Sequence, residues 1–135
     1  MSIVLIRAAL ETALNGMSPA LATEWQNEAF TPPALTAPYQ SAYLLPAEPD
    51  NREIGPQHVQ RGIFQISLRY PQSGGTGLAE TRAELIRTTF ARGASFTSGG
   101  VTVTIEKTPE IAPAQQDGDR LNLPVRVRFY APVNT

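Results

Sequence analysis

Gly62-Ile63-Phe64-Gln65-Ile66-Ser67-Leu68-Arg69-Tyr70 decides the fold. Phe64, Ile66, Leu68 and Tyr70 alternate with Gln65, Ser67 and Arg69. A strand turns successive side chains to opposite faces, so this segment has one apolar and one polar face. That is the pattern of an antiparallel sheet covered on one side. Two later segments repeat it. Val101, Val103 and Ile105 alternate with Thr102, Thr104 and Glu106. Leu121, Leu123, Val125, Val127 and Phe129 alternate with polar residues that include Arg126 and Arg128. Asp117-Gly118 between them is a hairpin signal. A regular ladder from that turn sets Phe129 against Glu106 and mixes the faces. One extra residue in the first strand sets Phe129 against Ile105, and Pro109 and Pro113 suit such a bulge. Pro124 limits pairing on one side of the last strand.

Outward from these strands, residues 2–16 read as a helix, with Ser2 as N-cap and Gly16 as stop. Ile3, Ile6, Leu10, Ala13 and Leu14 share a face, and Arg7, Glu11 and Asn15 oppose them. Val4 lies beside the polar group, a faint sign of a second contact surface. Residues 77–92 form a second helix closed by Gly93. Its apolar face holds Leu78, Ala79, Leu85, Ile86, Thr89 and Phe90, with Arg82 near the middle. The Arg82 stem is expected to snorkel along the core edge, the alternatives being a buried pair or a subunit contact. Residues 20–28 suggest a short strand with Trp25 inward, and Tyr39 to Leu45 another. Residues 46–60 show neither period and read as a loop, either one that orders against a partner or a floppy surface segment. The expectation is one domain, 1–135, of the α+β class. It should have a mainly antiparallel sheet of about four to five strands, with two amphipathic helices packed on one face.

Composition narrows the function. The chain has 135 residues, a size that buries roughly two-thirds of the unfolded chain's surface. Eleven basic residues against 12 acidic ones leave a net charge of −1, without the basic footprint of a nucleic-acid binder. No cysteine is present, which excludes a disulfide framework, a thiol nucleophile and a thiolate metal site. No stretch approaches the roughly 18 apolar residues of a membrane span, so no membrane partner is expected.

Chemical motifs are thin. Ser73-Gly74-Gly75-Thr76-Gly77 opens a helix, where an anion could sit. It lacks the lysine of a phosphate loop, and Glu80 stands where a dinucleotide fingerprint needs glycine. The single histidine, His58, is the only candidate base, and Ser73 and Ser98 lack the flanking glycines of a nucleophile elbow. The acid pairs Glu48/Asp50 and Asp117/Asp119 do not make a calcium loop. No catalytic, cofactor or metal residue is assigned. Arg69, Arg126 and Arg128 lie on outward strand faces and form at most a small basic patch.

Several runs together resemble one family. They are Tyr43-Leu44-Leu45-Pro46-Ala47-Glu48-Pro49-Asp50-Asn51 through Ile54-Gly55, Arg61-Gly62-Ile63-Phe64-Gln65, Ala83-Glu84-Leu85-Ile86-Arg87 and Val101 to Glu106 with Pro109-Glu110-Ile111. Asp117-Gly118-Asp119-Arg120 and Val125-Arg126-Val127-Arg128-Phe129 close the set. The likeness, over nearly the whole chain, is to tail terminator (tail completion) proteins of siphophages and their prophages, similar in type to the lambda tail terminator. The resemblance implies a virion protein made in the bacterial host cytoplasm. It would form a ring, usually a hexamer, on the head-proximal end of the tail tube, end tube polymerisation and present a surface to the head. Its partners would be its own copies, the tail tube protein and a head–tail connector protein, with no enzyme activity and no cofactor. A head–tail adaptor or tube subunit is the neighbouring alternative, and a small enzyme or ligand-binding module the alternative of another class. The residues expected to meet a subunit or partner are Glu48, Asp50, Glu53, Ile54 and Val59 on the loop and Arg69, Arg126 and Arg128 on the sheet.

Overall fold

The computed structural model describes residues 2–34, 37–51, 54–72 and 76–134. At its centre β3 (Gln57–Pro71) and β8 (Arg120–Asn134) run antiparallel over their full lengths, with Gln57 opposite Asn134 and Pro71 opposite Arg120. β2 (Tyr39–Pro46) lies on the other side of β3, and β1 (Thr23–Trp25) follows, parallel to β2. Beyond β8 come β5 (Val101–Ile105) and β4 (Ser95–Ser98). β6 (Glu110–Ile111) and β7 (Gln115–Asp117) pair with successive stretches of β8. The path across the sheet is β1-β2-β3-β8-β5-β4.

The chain is α+β, but the expected sheet of four to five mainly antiparallel strands is corrected to a mixed sheet of eight strands among the described residues. β6 and β7 have two and three residues, too few to display an alternation. β4 is Ser-Phe-Thr-Ser, whose single apolar residue shows no period. The parallel β1–β2 pair leaves no local signal, because its two strands are joined by a long connection rather than a turn.

Phe129 does oppose Ile105, by a different route from the single bulge. The turn closes with Asp117 against Arg120. From Gln115↔Asn122 to Ile111↔Val125, four residues of one side span three of β8. From Glu110↔Arg126 to Ile105↔Phe129, five span three. Pro113 and Pro109 lie in these two slips, as residues without a ladder N–H should.

α1 (Ser2–Asn15) and α2 (Gly77–Thr89) complete one core. Ile6, Leu10 and Leu14 of α1 and Ala79, Ala83 and Ile86 of α2 are buried with Phe64, Ile66 and Leu68 of β3 and Val125, Val127 and Phe129 of β8. α2 ends three residues before the expected boundary. Phe90 leaves helical geometry (φ −103°, ψ 47°) while its N–H still bonds the Ile86 carbonyl at 2.8 Å. The ring thereby reaches Phe64 and Phe96, with centroids 6.0 and 5.3 Å away. Leu78, expected on the apolar face, is exposed. Gly62 faces the core opposite Phe129, where a Cβ would stand 2.9 Å from the ring and 2.7 Å from the Leu45 carbonyl oxygen.

Arg82 does not snorkel. It is 5% exposed, and its guanidinium donates to the Pro19 carbonyl at 2.5 Å. Burial lowers its pKa, and the neighbouring Tyr70 works the other way. Burial likewise raises the Tyr70 pKa, with Arg82 opposing.

Candidate functional site: the outer sheet face and its flanking loop

The sheet's second face carries the odd-numbered residues of β3 and the even-numbered residues of β8. Arg126 and Arg128 stand on it as expected, and both reach one acid. Glu110 of β6, paired across the ladder with Arg126, lies 3.6 Å from Arg126 and 3.2 Å from Arg128. These groups are one-third to one-half exposed, so each pair contributes about 0–1 kcal/mol. Arg69 is half-buried on the same face, opposite Tyr39 on one side and Asn122 on the other.

At the far end of this face Arg61 forms a second cluster. It pairs with Glu106, lies 3.9 Å from Asp50 and stands 5.8 Å from the centre of the Tyr130 ring. Arg61, Glu106 and Tyr130, with Val59 and Pro132, line an open hollow of about 340 Å³.

The structure shortens the loop expected at 46–60. Residues 57–60 belong to β3, and Asp50 and Val59 exchange both backbone hydrogen bonds at 2.9 Å. Gln60 explains why the sequence hid this. Its side chain is polar but buried, and its amide donates to the carbonyls of Ala47 and Arg61, both at 2.9 Å. A glutamine that ties a loop to a strand reads in sequence as loop. Of the residues expected here, Glu48 and Ile54 are exposed, Ile54 completely. Asp50 turns to Arg61, and Val59 lines the hollow. Glu53 lies outside the described residues. Asp50 and Val59 thus lie at the Arg61 end of this face, and Arg69 lies at the other.

Sequence reasoning missed Arg120. It begins β8, is 7% exposed and donates to the carbonyls of Ala37, Pro33 and Ala34 at 2.6, 2.8 and 3.0 Å. Its guanidinium lies 4.7 Å from the centre of the Tyr39 ring. Prolines 32, 33 and 38 bring no N–H of their own, and this one cation gathers three carbonyls of the segment, of which that of Ala34 also accepts from the Ala37 N–H at 2.8 Å.

Ser73, Gly74 and Gly75 lie outside the described residues. Thr76 precedes α2 without a side-chain cap, its hydroxyl instead 3.2 Å from Glu80. His58 Nδ1 lies 3.2 Å from the Pro56 carbonyl, and Ser98 sits in β4. Among the described residues no three His, Asp or Glu side chains are grouped to hold a metal, and no helix is long and apolar enough to cross a membrane.

A family model described as phage tail terminator protein matches residues 5–129, from the first turn of α1 to Phe129 of β8. The chain belongs to the phage tail terminator family. One solved structure is 30% identical with a TM-score of 0.77, covering 100% of this chain and 98% of its own. A chain from the virion of a native gene transfer agent particle shares the fold at 14% identity and a TM-score of 0.64, over 99% of this chain and 98% of that one. No curated protein sequence matches. Family membership gives the chain a structural role in the tail of a phage virion. The runs that resemble the family occupy β2 and its loop, β3, α2, β5, β6 and the β7–β8 hairpin with β8.

Proposed function

We propose that this terminator-family protein closes into a ring, a hexamer, on the head-proximal end of the tail tube. There it ends tube polymerisation and offers a surface to the head. The observation that carries this reading is the family match over residues 5–129. The outer face supports it: a broad, half-exposed polar sheet with paired charges suits contacts made and kept in water. In this reading Glu48, Asp50, Glu53, Ile54 and Val59, with Arg69, Arg126 and Arg128, make one partner surface. It meets the tail tube protein or the head–tail connector protein. Exposed ion pairs supply little affinity, so Ile54 and the hollow beside Val59 provide the apolar part.

Deletion of the gene tests the role: tails should become irregular and overlong and fail to join heads. Tails of normal length that join heads refute it. The native mass of the purified protein should show closed rings, whereas open filaments would make it a tube subunit. For the partner surface, the triple variant Arg126→Glu, Arg128→Glu, Glu110→Arg keeps acid facing base within the subunit while exchanging their positions. It should fold and form rings yet restore tails poorly, and full restoration removes these arginines from the surface.

A further inference from the structure

The sheet ends in two edges that differ. β4 borders β5 on one side and has no second neighbour among the described strands. Edge strands are commonly guarded by lysine, proline, an inward charge or a bulge. Ser95-Phe96-Thr97-Ser98 carries no charge and no proline. Gly99 and Gly100, at φ 55° and 85°, form the two-residue turn to β5, which makes Ser98 and Val101 a hydrogen-bonded pair. Ser95 and Thr97 then fall at non-hydrogen-bonded positions. Their hydroxyls lie 3.2 and 3.1 Å from those of Thr104 and Thr102, as the closer side chains of such pairs allow. Their backbone N–H and C=O groups point off the sheet. Beneath this edge, Ala8, Ala9, Thr12 and Ala13 of α1 and Phe96 of β4 wall a groove of about 200 Å³. Small helix residues beside an unpaired strand leave room for a strand whose inward side chain is large.

The opposite edge offers such a strand. β1 borders β2 alone on the path, and its Trp25 sits opposite Ala42 on the core side, packed in part against its own core with the rest of the ring exposed. Phe96, opposite Val103, is on the same side of the sheet. The charges around the edges are complementary. Glu24 and Glu28 lie in and after β1, and exposed Arg92 comes shortly before β4.

We propose that β1 of one subunit adds to β4 of the next, with the exposed edge of the Trp25 ring covering the groove between α1 and β4. This rests on the ring reading above. A head-to-tail ring needs two different surfaces on each subunit, and the outer face supplies one kind only. The two ends of a single sheet supply both. The apolar layer then continues across the junction, from Phe96 to the indole of the neighbouring copy.

The chain has no cysteine, which makes the contact testable by cross-linking. Glu24 and Thr97 both face the outer side. The double variant Glu24→Cys, Thr97→Cys, or Glu24→Cys, Ser95→Cys for a two-residue shift in register, should on oxidation give a ladder of covalent multimers up to the ring mass. Each single variant should give none. In the unmutated protein, Trp25 emission should shift to the blue on assembly and lose its access to acrylamide. Rings that give no ladder with either double variant, or that leave Trp25 equally quenchable, overturn the edge contact while the ring stands. A chain that stays monomeric at every concentration overturns the ring and this contact together.

Discussion

Replacing Gly62 with alanine adds one methyl group at a place with no room for it. The new Cβ would stand 2.7 Å from the Leu45 carbonyl oxygen and 2.9 Å from Phe129 Cζ, where ordinary contact begins at 3.4 Å. Relief needs β2 to withdraw from β3 by about 0.7 Å and the Phe129 ring, which is fully buried, to turn. Overfilling a packed core costs about 1–3 kcal/mol. Alanine in a strand recovers about 0.5–1 kcal/mol through reduced backbone freedom in the unfolded chain. The net expectation is a loss of about 1–2 kcal/mol, read as a lower urea midpoint at unchanged m-value. Gly77→Ala is the control, because it opens α2 with nothing within 4 Å of the added atom. It should be neutral or gain up to about 1 kcal/mol. Phe129→Leu should cost less in the Gly62→Ala background than alone, with a coupling of at least about 0.5 kcal/mol. A Gly62→Ala protein as stable as Gly77→Ala would refute this account of how β2, β3 and β8 meet.

Three further outcomes are expected. Leu68→Ala, in the core, should cost about 2–5 kcal/mol in denaturant melts, and Arg126→Ala, which loses one half-exposed ion pair, less than about 1 kcal/mol. Arg120→Ala should cost about 1–3 kcal/mol and raise amide exchange and protease cleavage around the prolines, because part-buried carbonyls lose a charged donor; unchanged exchange there would contradict the anchoring role. The Tyr70 pKa is raised in the folded state, so its contribution is intact below the unfolded value near 10 and is lost as pH rises through the folded one. Alkaline melts should show this loss in the parent and a smaller one in Tyr70→Phe.

The long elements were legible because each repeats a period several times. β3 over 62–70, β5, β8 and α1 each show three or more in-phase apolar residues, and the Ile105–Phe129 pairing followed from keeping their faces consistent. What stayed hidden depends on single side chains meeting distant backbone. Gln60 extends β3 by bonding the loop carbonyl of Ala47, 13 residues away. Arg82 sits in an apolar stripe because the Pro19 carbonyl waits 63 residues earlier. Arg120 organises carbonyls more than 80 residues before it. Periodicity cannot register such partners, since the partner atom is the same in every residue. On the candidate site, the polar face was readable from alternation. That Glu110 already serves Arg126 and Arg128 depended on a two-residue strand that has no period to read.

The full-length pairing of β3 with β8 sets an order in time. The strand at the middle of the sheet is made of residues 120–134, so β2, β3 and both helices leave the ribosome before the strand that brings Leu123, Val125, Val127, Phe129, Ala131 and Val133 to their core exists. Until then Phe64, Ile66 and Leu68 face helices without the neighbouring strand, and the ladder from Gln57 to Pro71 has one side open. Contacts this distant in sequence close slowly, and exposed strands awaiting a partner are prone to the wrong one. Deletions that remove β8 should therefore leave an aggregating chain rather than a smaller domain. A subunit with this core can form only once β8 has left the ribosome.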